Sequence, residues 1–273
     1  MSSINSKLWE NYEKFGRARG RLVAAILSQH VNLSRSNILD FGCGQGGVSI
    51  ELAAAGARVT ALDQNQEKIG HLRNVAQQRQ LPVNIVHEIP LHQCDFDAVI
   101  LLDVIEHLLD PPMILRQLYS LLKPGGLVYL STPNKLSPIN VFCDPHFSLP
   151  LVSLLARKNV KRVMAGWLKW QPEERTDFPE LFSLKELDRL LWRAGFDWQF
   201  VSSRVAAYAL QNPESVWNRD LHLALVEFVK KIGADRLVQK VVSDKIDLFN
   251  NLLNPTWYIM AQKTPDSCAE IGR

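Results

Sequence analysis

The 273-residue sequence has no apolar run near the ~18 residues that a membrane-crossing helix needs, and Ala98–Leu102 is among its longest uninterrupted stretches. Nothing in it reads as spanning a bilayer. Cysteine is scarce: Cys43, Cys94, Cys143 and Cys268 are scattered and form no CxxC pair, so they read as reduced, mostly structural thiols rather than a disulfide framework. Charge of one sign is also missing. The 31 Lys and Arg against 28 Asp and Glu leave a formal +3, which argues against a dedicated nucleic-acid binder with a strongly basic face. Met1–Gly16 lacks the continuous apolar core of a signal peptide, because Glu10, Glu13 and Lys14 interrupt it, so a cytoplasmic location is expected. There is no internal repeat and no low-complexity tract.

What is present is an ordinary globular composition, 47% hydrophobic and 22% charged, which excludes fibrous, collagen-like and disordered classes. Apolar spacing predicts a helix over about Ser6–His30, and an alternation follows it. Asn37–Phe41, Arg58–Leu62, Val83–His87, Asp97–Leu102 and Leu127–Ser131 read as strands; Gly46–Ala55, Gln64–Gln80 and Met113–Leu122 read as helices between them. Such alternation predicts a parallel sheet with helices on both faces and ligands at the C-terminal ends of the strands. After Thr132 the rhythm breaks, with Pro133, Pro138, Pro145 and Pro150 punctuating a stretch that reads as an insertion up to Pro179. Ser183, Glu186 and Gly195 bracket a helix over Ser183–Ala194 by a capping-box signature. Phe196–Val205 is expected as a strand, Glu214–Asn250 as mainly helical and Thr256–Gln262 as a final strand.

The most informative segment is Leu39-Asp40-Phe41-Gly42-Cys43-Gly44-Gln45-Gly46-Gly47, a buried strand running into glycines that open a helix. Glycines there permit a tight turn and close approach of a ligand, and the helix-start amides can receive an anionic group. Asp63 ends the next strand 21 residues after Gly42, where an acid can bind ribose hydroxyls. Gly42, Gly44 and Gly47 also satisfy GxGxxG, which keeps an NAD-dependent oxidoreductase as an alternative. Asp40, two residues before the loop, would repel a pyrophosphate and attract an ammonium, and so favours an amino-acid-like ligand.

Through LDFGCGQGG followed by VTALD, the chain resembles the class I S-adenosylmethionine-dependent methyltransferases. FDAVILLDVIEHLLDPPMILRQLYSLLKPGGLVYLSTPN strengthens the resemblance toward the ubiquinone-biosynthesis-type O-methyltransferase branch. It covers Asn37–Asn134 closely and Phe182–Phe196 loosely. The resemblance implies a Rossmann-like, doubly wound and mostly parallel seven-stranded sheet with an antiparallel last strand, here carrying helical insertions. It implies S-adenosyl-L-methionine as cofactor. Asp40, Gly42, Cys43 and Gly44 would hold the methionine moiety and Asp63 the ribose. Gln64, Glu88 and Ile89 would flank the adenine, and Asp103 would line the junction with the acceptor. The whole chain is then one methyltransferase domain. Residues 1–35 are N-terminal helices and 36–134 the cofactor-binding core; 135–181 is an insertion or lid, 182–205 a core helix and strand, 206–254 a helical insertion and 255–263 the last strand.

Methyl transfer releases a neutral thioether and needs no leaving-group acid, so alignment dominates and a general base serves a hydroxyl acceptor. His107, in Asp103-Val104-Ile105-Glu106-His107, lies just past a strand end and is the first candidate. It can equally be a loop support. His146, in Asp144-Pro145-His146-Phe147, is the second, with Asp144 placed to orient it or with the histidine simply packing the lid. Asp103, Glu106, His107 and His146 also form a mixed ligand set for a divalent ion, similar to Glu-x-x-Glu-His sets in small-RNA 2′-O-methyltransferases, but with Asp103 in place of a Glu. The reading adopted uses no metal.

Ala156–Trp170, ARKNVKRVMAGWLKW, would be a cationic amphipathic helix. Its charges are solvated on a packed lid, rest on anionic lipid, or touch nucleic acid. Trp192 and Trp198 are expected in the core, and Trp167 and Trp170 on the substrate side. The expected partner is a small-molecule acceptor, with no nucleic acid and with peripheral membrane contact through 156–170 left open. A sugar, phenol or other secondary-metabolite hydroxyl is the expected acceptor. A quinone or lipid-linked acceptor, an RNA 2′-hydroxyl with metal assistance, and a non-catalytic nucleoside-binding protein are the alternatives.

Overall fold

The computed structural model describes residues 3–89, 94–172, 174–217 and 220–264. Seven strands, β1 (Asn37–Phe41), β2 (Arg58–Leu62), β3 (Val83–Val86), β4 (Phe96–Leu102), β5 (Leu122–Pro133), β6 (Phe196–Phe200) and β7 (Thr256–Lys263), form one sheet in the order β3-β2-β1-β4-β5-β7-β6. β1 through β5 pair in parallel, and β7 runs antiparallel to both β5 and β6. The order reverses between β1 and β4, so the crevice of this doubly wound sheet opens at their C-terminal ends.

The helices are α1 (Ser3–Leu27), α2 (Gly47–Ala54), α3 (Gln66–Gln78), α4 (Pro111–Leu121), α5 (Pro138–Phe142), α6 (Arg157–Lys161), α7 (Leu184–Arg193), α8 (Ser202–Gln211), α9 (Asp220–Lys231) and α10 (Asp235–Val241). In β4, Ala98 and Ile100 face a layer containing Leu22, Val23 and Ile26 of α1, while Val99 and Leu101 face Leu115 and Leu118 of α4 and Leu187 and Leu191 of α7. Both sheet faces are covered, which is why β4 reads as a continuous apolar run instead of alternating.

Several boundaries follow the chain chemistry closely. Ser183 and Glu186 form the expected capping box at the start of α7, and Gly195 takes φ +94 where it ends. Two expectations are corrected. The strand expected over Phe196–Val205 stops at Phe200, and α8 begins at Ser202, because Val201 makes the last backbone bond to β7 and Val205 and Ala209 then bury one helical face. The single amphipathic helix expected over Ala156–Trp170 is instead α6 followed by a wider π-helical turn, Arg162–Trp167, burying Val160, Met164 and Ala165.

The tryptophans are also redistributed. Trp192 is not a core residue: it stands 74% exposed on α7, while Trp198 packs on Phe200 and donates to Asp188 at 2.9 Å. Trp257 is fully buried and donates to the Asn250 carbonyl. α10 packs on α8, and α9 on the Pro213–Ser215 turn. Cys43 and Cys143 are free thiols, and Cys268 lies outside the described residues.

Candidate functional site

The β1 strand delivers Asp40 and the glycine loop to the crevice. Gly42 and Cys43 both donate backbone N–H groups to the Leu62 carbonyl, at 2.7 and 2.9 Å, which folds the loop back over the end of β2. Gly42, Gly44 and Gly46 all have positive φ, and a Cβ on Gly42 would lie 2.4 Å from Val104. At Gly44 a Cβ would meet nothing within 4 Å, so this backbone faces open space. Gly47 serves another purpose: a Cβ there would sit 2.4 Å from the carbonyl carbon of Gly16, so the third motif glycine seats α1 on α2.

A cavity of about 550 Å³ opens beside the loop, bounded by Asp40, Gly42, Cys43 and Gly44, by α3 residues including His71, and by α1 residues from Tyr12 to Arg19. Asp40 is buried and accepts from the Ser49 hydroxyl at 2.5 Å. Burial pushes its carboxyl up to about 6, against the pull of the Ser49 bonds. Asp63 stands at the loop edge, with Oδ2 accepting from Gly44 N–H and Oδ1 from Asn65 N–H, both at 2.8 Å. Gln64 and Glu88 are exposed, and Ile89 packs partly into the core. Four of the expected cofactor residues thus share one cavity and Asp63 is hydrogen-bonded to it; Gln64, Glu88, Ile89 and Asp103 are not among the residues bounding that cavity.

Asp103, at the end of β4, has φ +52, an uncommon conformation for a residue with a side chain. Its carboxylate takes Arg19 of α1 at 2.7 Å and the Ser131 hydroxyl at 2.7 Å, while Arg19 also donates to Ser131 at 2.9 Å. Burial works to raise Asp103, but the Arg19 guanidinium and the Ser131 bond hold it below the ordinary carboxylate range. Sequence reasoning missed Arg19. Its signal was a cation set between Ala18 and Gly20 on a helix that buries its small and apolar residues.

Beyond Asp103 a short turn, Ile105–His107, carries the expected histidine. His107 Nδ1 lies 3.0 Å from the Asp177 carbonyl. A carbonyl only accepts, so Nδ1 is the donor in this contact, and in the neutral ring Nε2 is the acceptor. His146 meets His107 edge-on, with ring centroids 4.9 Å apart. Glu106 is fully buried: Oε2 accepts from Thr132 at 2.9 Å, and Oε1 has no hydrogen-bond partner among the described residues. Burial, and then the Asp103 charge, push its carboxyl up to about 8. His146 lies 3.9 Å from Glu106 Oε1 and from Asp144 Oδ1, too far for hydrogen bonds, and burial followed by the neighbouring His107 pulls it down to about 4. Asp144 does not orient the imidazole; its Oδ1 accepts the backbone N–H groups of His146 and Phe147, each at 2.9 Å.

The insertion supports this cluster. Val152, Val160, Met164, Ala165 and Phe178 make a small core of their own, with Phe147 stacked on Phe178. Arg157, the first cation of the basic stretch, turns inward and donates to the carbonyls of Glu106 (3.1 Å), His107 (3.0 Å) and Leu108 (2.6 Å). Glu106, His107 and His146 bring ligand atoms within 4.8 Å of one another; Asp103, engaged by Arg19, is not in this group.

A family model described as a methyltransferase domain matches residues 11–199. A ubiquinone biosynthesis O-methyltransferase of Xanthomonas oryzae pv. oryzae is 37% identical over 114 residues, covering 40% of this chain and 48% of the relative. The chain thus spans about half the length of the curated relatives it matches. An S-adenosylmethionine-dependent methyltransferase of Mesorhizobium loti shares the fold at 16% identity, covering 88% of this chain and 96% of its own, with a TM-score of 0.55. The [4+2]-cyclase SpnF does so at 19% identity and TM-score 0.51, covering 90% and 80%. The last pair shows why a shared fold does not fix a reaction. The match over residues 11–199 does fix the lineage: this chain belongs to the methyltransferase-domain family, among the class I S-adenosylmethionine-dependent methyltransferases.

Proposed function

We propose that the chain methylates a hydroxyl group of a small molecule, a sugar, phenol or other secondary metabolite, with His107 as general base. The observation that carries this reading is the orientation of His107, whose Nδ1 proton is committed to the Asp177 carbonyl. Nε2 is left as the acceptor for the hydroxyl proton. His146, kept neutral by burial, lies edge-on to the His107 ring and is the second candidate. Asp40 and the amides of Gly42, Cys43 and Gly44 would hold the amino-acid end of S-adenosylmethionine, where a cation-attracting carboxylate and open backbone fit an ammonium-bearing ligand. Asp63 would take the ribose, and Gln64, Glu88 and Ile89 would flank the base. The donor supplies an electrophilic methyl group whose transfer leaves a neutral thioether, so the protein has only to align the acceptor and take its proton. The 135–181 segment would close over the acceptor as a lid.

A second reading is supported by the orphaned Glu106 Oε1 beside two histidines. Glu106, His107 and His146 would hold a divalent ion, with His107 fixed through its other nitrogen in the usual manner of a ligand histidine. Such an ion would lower the pKa of a bound hydroxyl.

The test is a screen of hydroxyl, amine and thiol acceptors by formation of S-adenosylhomocysteine, repeated after chelation. Transfer to oxygen that survives chelator and drops in His107→Ala is the expected result. Transfer to nitrogen, or an unchanged rate in His107→Ala, overturns the base; loss on chelation restored by a divalent ion selects the second reading.

A further inference from the structure

The helical pair α9 and α10 lies beyond residue 199, where the family match ends, and it carries an exposed apolar face. On α9, Val226 turns inward, while Leu225, Phe228 and Ile232, spaced i, i+3 and i+7, stand 58%, 57% and 60% exposed on another side. Ile232 extends the last turn of α9 through its N–H bond to the Phe228 carbonyl at 3.0 Å. After Gly233, at φ +71, α10 adds exposed Leu237 and Val241, spaced i, i+4. The pair is anchored to the body of the protein: α9 packs on the Pro213–Ser215 turn, that turn packs on α1, and α10 packs on α8. An apolar surface of this extent on a globular protein marks an interaction site.

Area and charge identify the occupant. At roughly 100 Å² apiece, these five side chains offer on the order of 500 Å², the apolar share of the ~800 Å² per partner that a stable interface buries. From Asp220 to Asp247, five acids stand against five Lys and Arg, so the helical pair has no net charge. A polyanion or an acidic lipid surface calls for an excess of cations that this segment lacks. A second copy calls instead for opposite charges that meet when the helix is reversed. Glu227 and Lys231 are both exposed, make no ion pair among the described residues, and lie one turn apart along one edge of the apolar stripe, acid first. A two-fold axis near Val229 that relates two antiparallel α9 helices brings the same edge of each together in opposite directions. Glu227 then meets Lys231 of the second copy, twice over. In the same register Leu225 packs beside Ile232 of the second copy, and the two Phe228 rings lie near the axis.

We propose that the protein forms a symmetric dimer through this face, with the two α9 helices antiparallel. The partner is a second copy of this chain, and the inference is independent of the acceptor and of the base assigned above.

Sedimentation of the full chain from about 1 to about 50 μM tests it, covering the affinities at which such interfaces associate. The expected result is a species of twice the 31.0 kDa chain mass. Phe228→Ser/Ile232→Ser should weaken association by about a hundredfold or more with unchanged circular dichroism. Glu227→Lys and Lys231→Glu should each weaken it by about fivefold or more, and the double exchange Glu227→Lys/Lys231→Glu should restore it, because each pair is then reversed rather than lost. A wild type that stays monomeric throughout, or a dimer indifferent to the apolar substitutions, overturns the proposal. A monomeric wild type that floats with phosphatidylglycerol vesicles overturns it equally and assigns the face to lipid. Failure of the double exchange to restore association overturns the antiparallel pairing.

Discussion

Gly47 opens α2 in direct contact with Gly16 of α1, leaving no room between the two backbones for a methyl group. The neighbouring turn repeats the arrangement, since a Cβ on Gly20 would lie 2.7 Å from the Gly47 carbonyl oxygen. Arg17 then clasps Glu51 across the same interface at 2.7 Å. Gly47→Ala should therefore push α1 away from α2, at a cost of about 1–3 kcal/mol typical of overpacking. A thermal melt should show a midpoint lower by several degrees, and S-adenosylhomocysteine should bind more weakly because α1 walls the cavity proposed to hold it. Unchanged melting and binding would refute this close approach.

The position of Asp40 gives a pH dependence with a definite sign. Burial holds its carboxyl near 6, and attraction for an ammonium requires the ionised form. Affinity for S-adenosylhomocysteine should be constant above about pH 7 and fall as pH drops through 6, approaching about tenfold per unit below it. Calorimetry across pH 5 to 8 checks this. Asp40→Asn should bind weakly at every pH and lose the slope.

Asp63 accepts two backbone N–H groups, so its removal affects the loop as well as any ribose contact. Asp63→Ala should weaken S-adenosylhomocysteine binding by about tenfold or more, with about 1 kcal/mol or more of destabilisation from the lost charged acceptor. Equal affinity in the two proteins would remove Asp63 from the cofactor site.

His107→Ala should slow methyl transfer by about 10²- to 10⁴-fold, the usual range for a general base, while leaving S-adenosylhomocysteine affinity unchanged. The separation matters. A mainly structural His107 would lower the melting midpoint along with the rate.

Arg157 acts through the backbone of the Glu106–His107–Leu108 turn. Arg157→Ala should reduce turnover about tenfold or more by loosening that turn, with cofactor affinity intact, since small misplacements of reacting groups are costly. Arg157→Lys, which cannot span three carbonyls with a planar fork, should recover only part of the rate.

The legible parts of this molecule were those with local signatures. β1 and β2 have the boundaries their apolar runs suggest, and the Ser183–Glu186 cap is visible as a three-residue spacing. Phe196–Val205 misled because Val201 and Val205 suit either a strand or a helical i, i+4 face, and only the end of pairing with β7 decides between them. The turn at Asp40–Gly44 and the position of Asp63 beside it were readable for the same local reason. The bonds of Arg19 to Asp103, Arg157 to the His107 turn and Asp177 to His107 join residues 84, 50 and 70 positions apart, and no periodicity encodes such pairings. Arg157 was read with its basic neighbours as a surface charge, yet it is the one that turns inward.

Arg19 and the cavity wall belong to one rigid rod. Any displacement of α1 that widened the cavity would also withdraw the guanidinium that lies 2.7 Å from Asp103. Asp103 would then lose its balancing cation beside Glu106, whose carboxyl the Asp103 charge already helps to raise. One helix thus carries both a wall of the cavity and the counter-charge of the strand end that leads to His107.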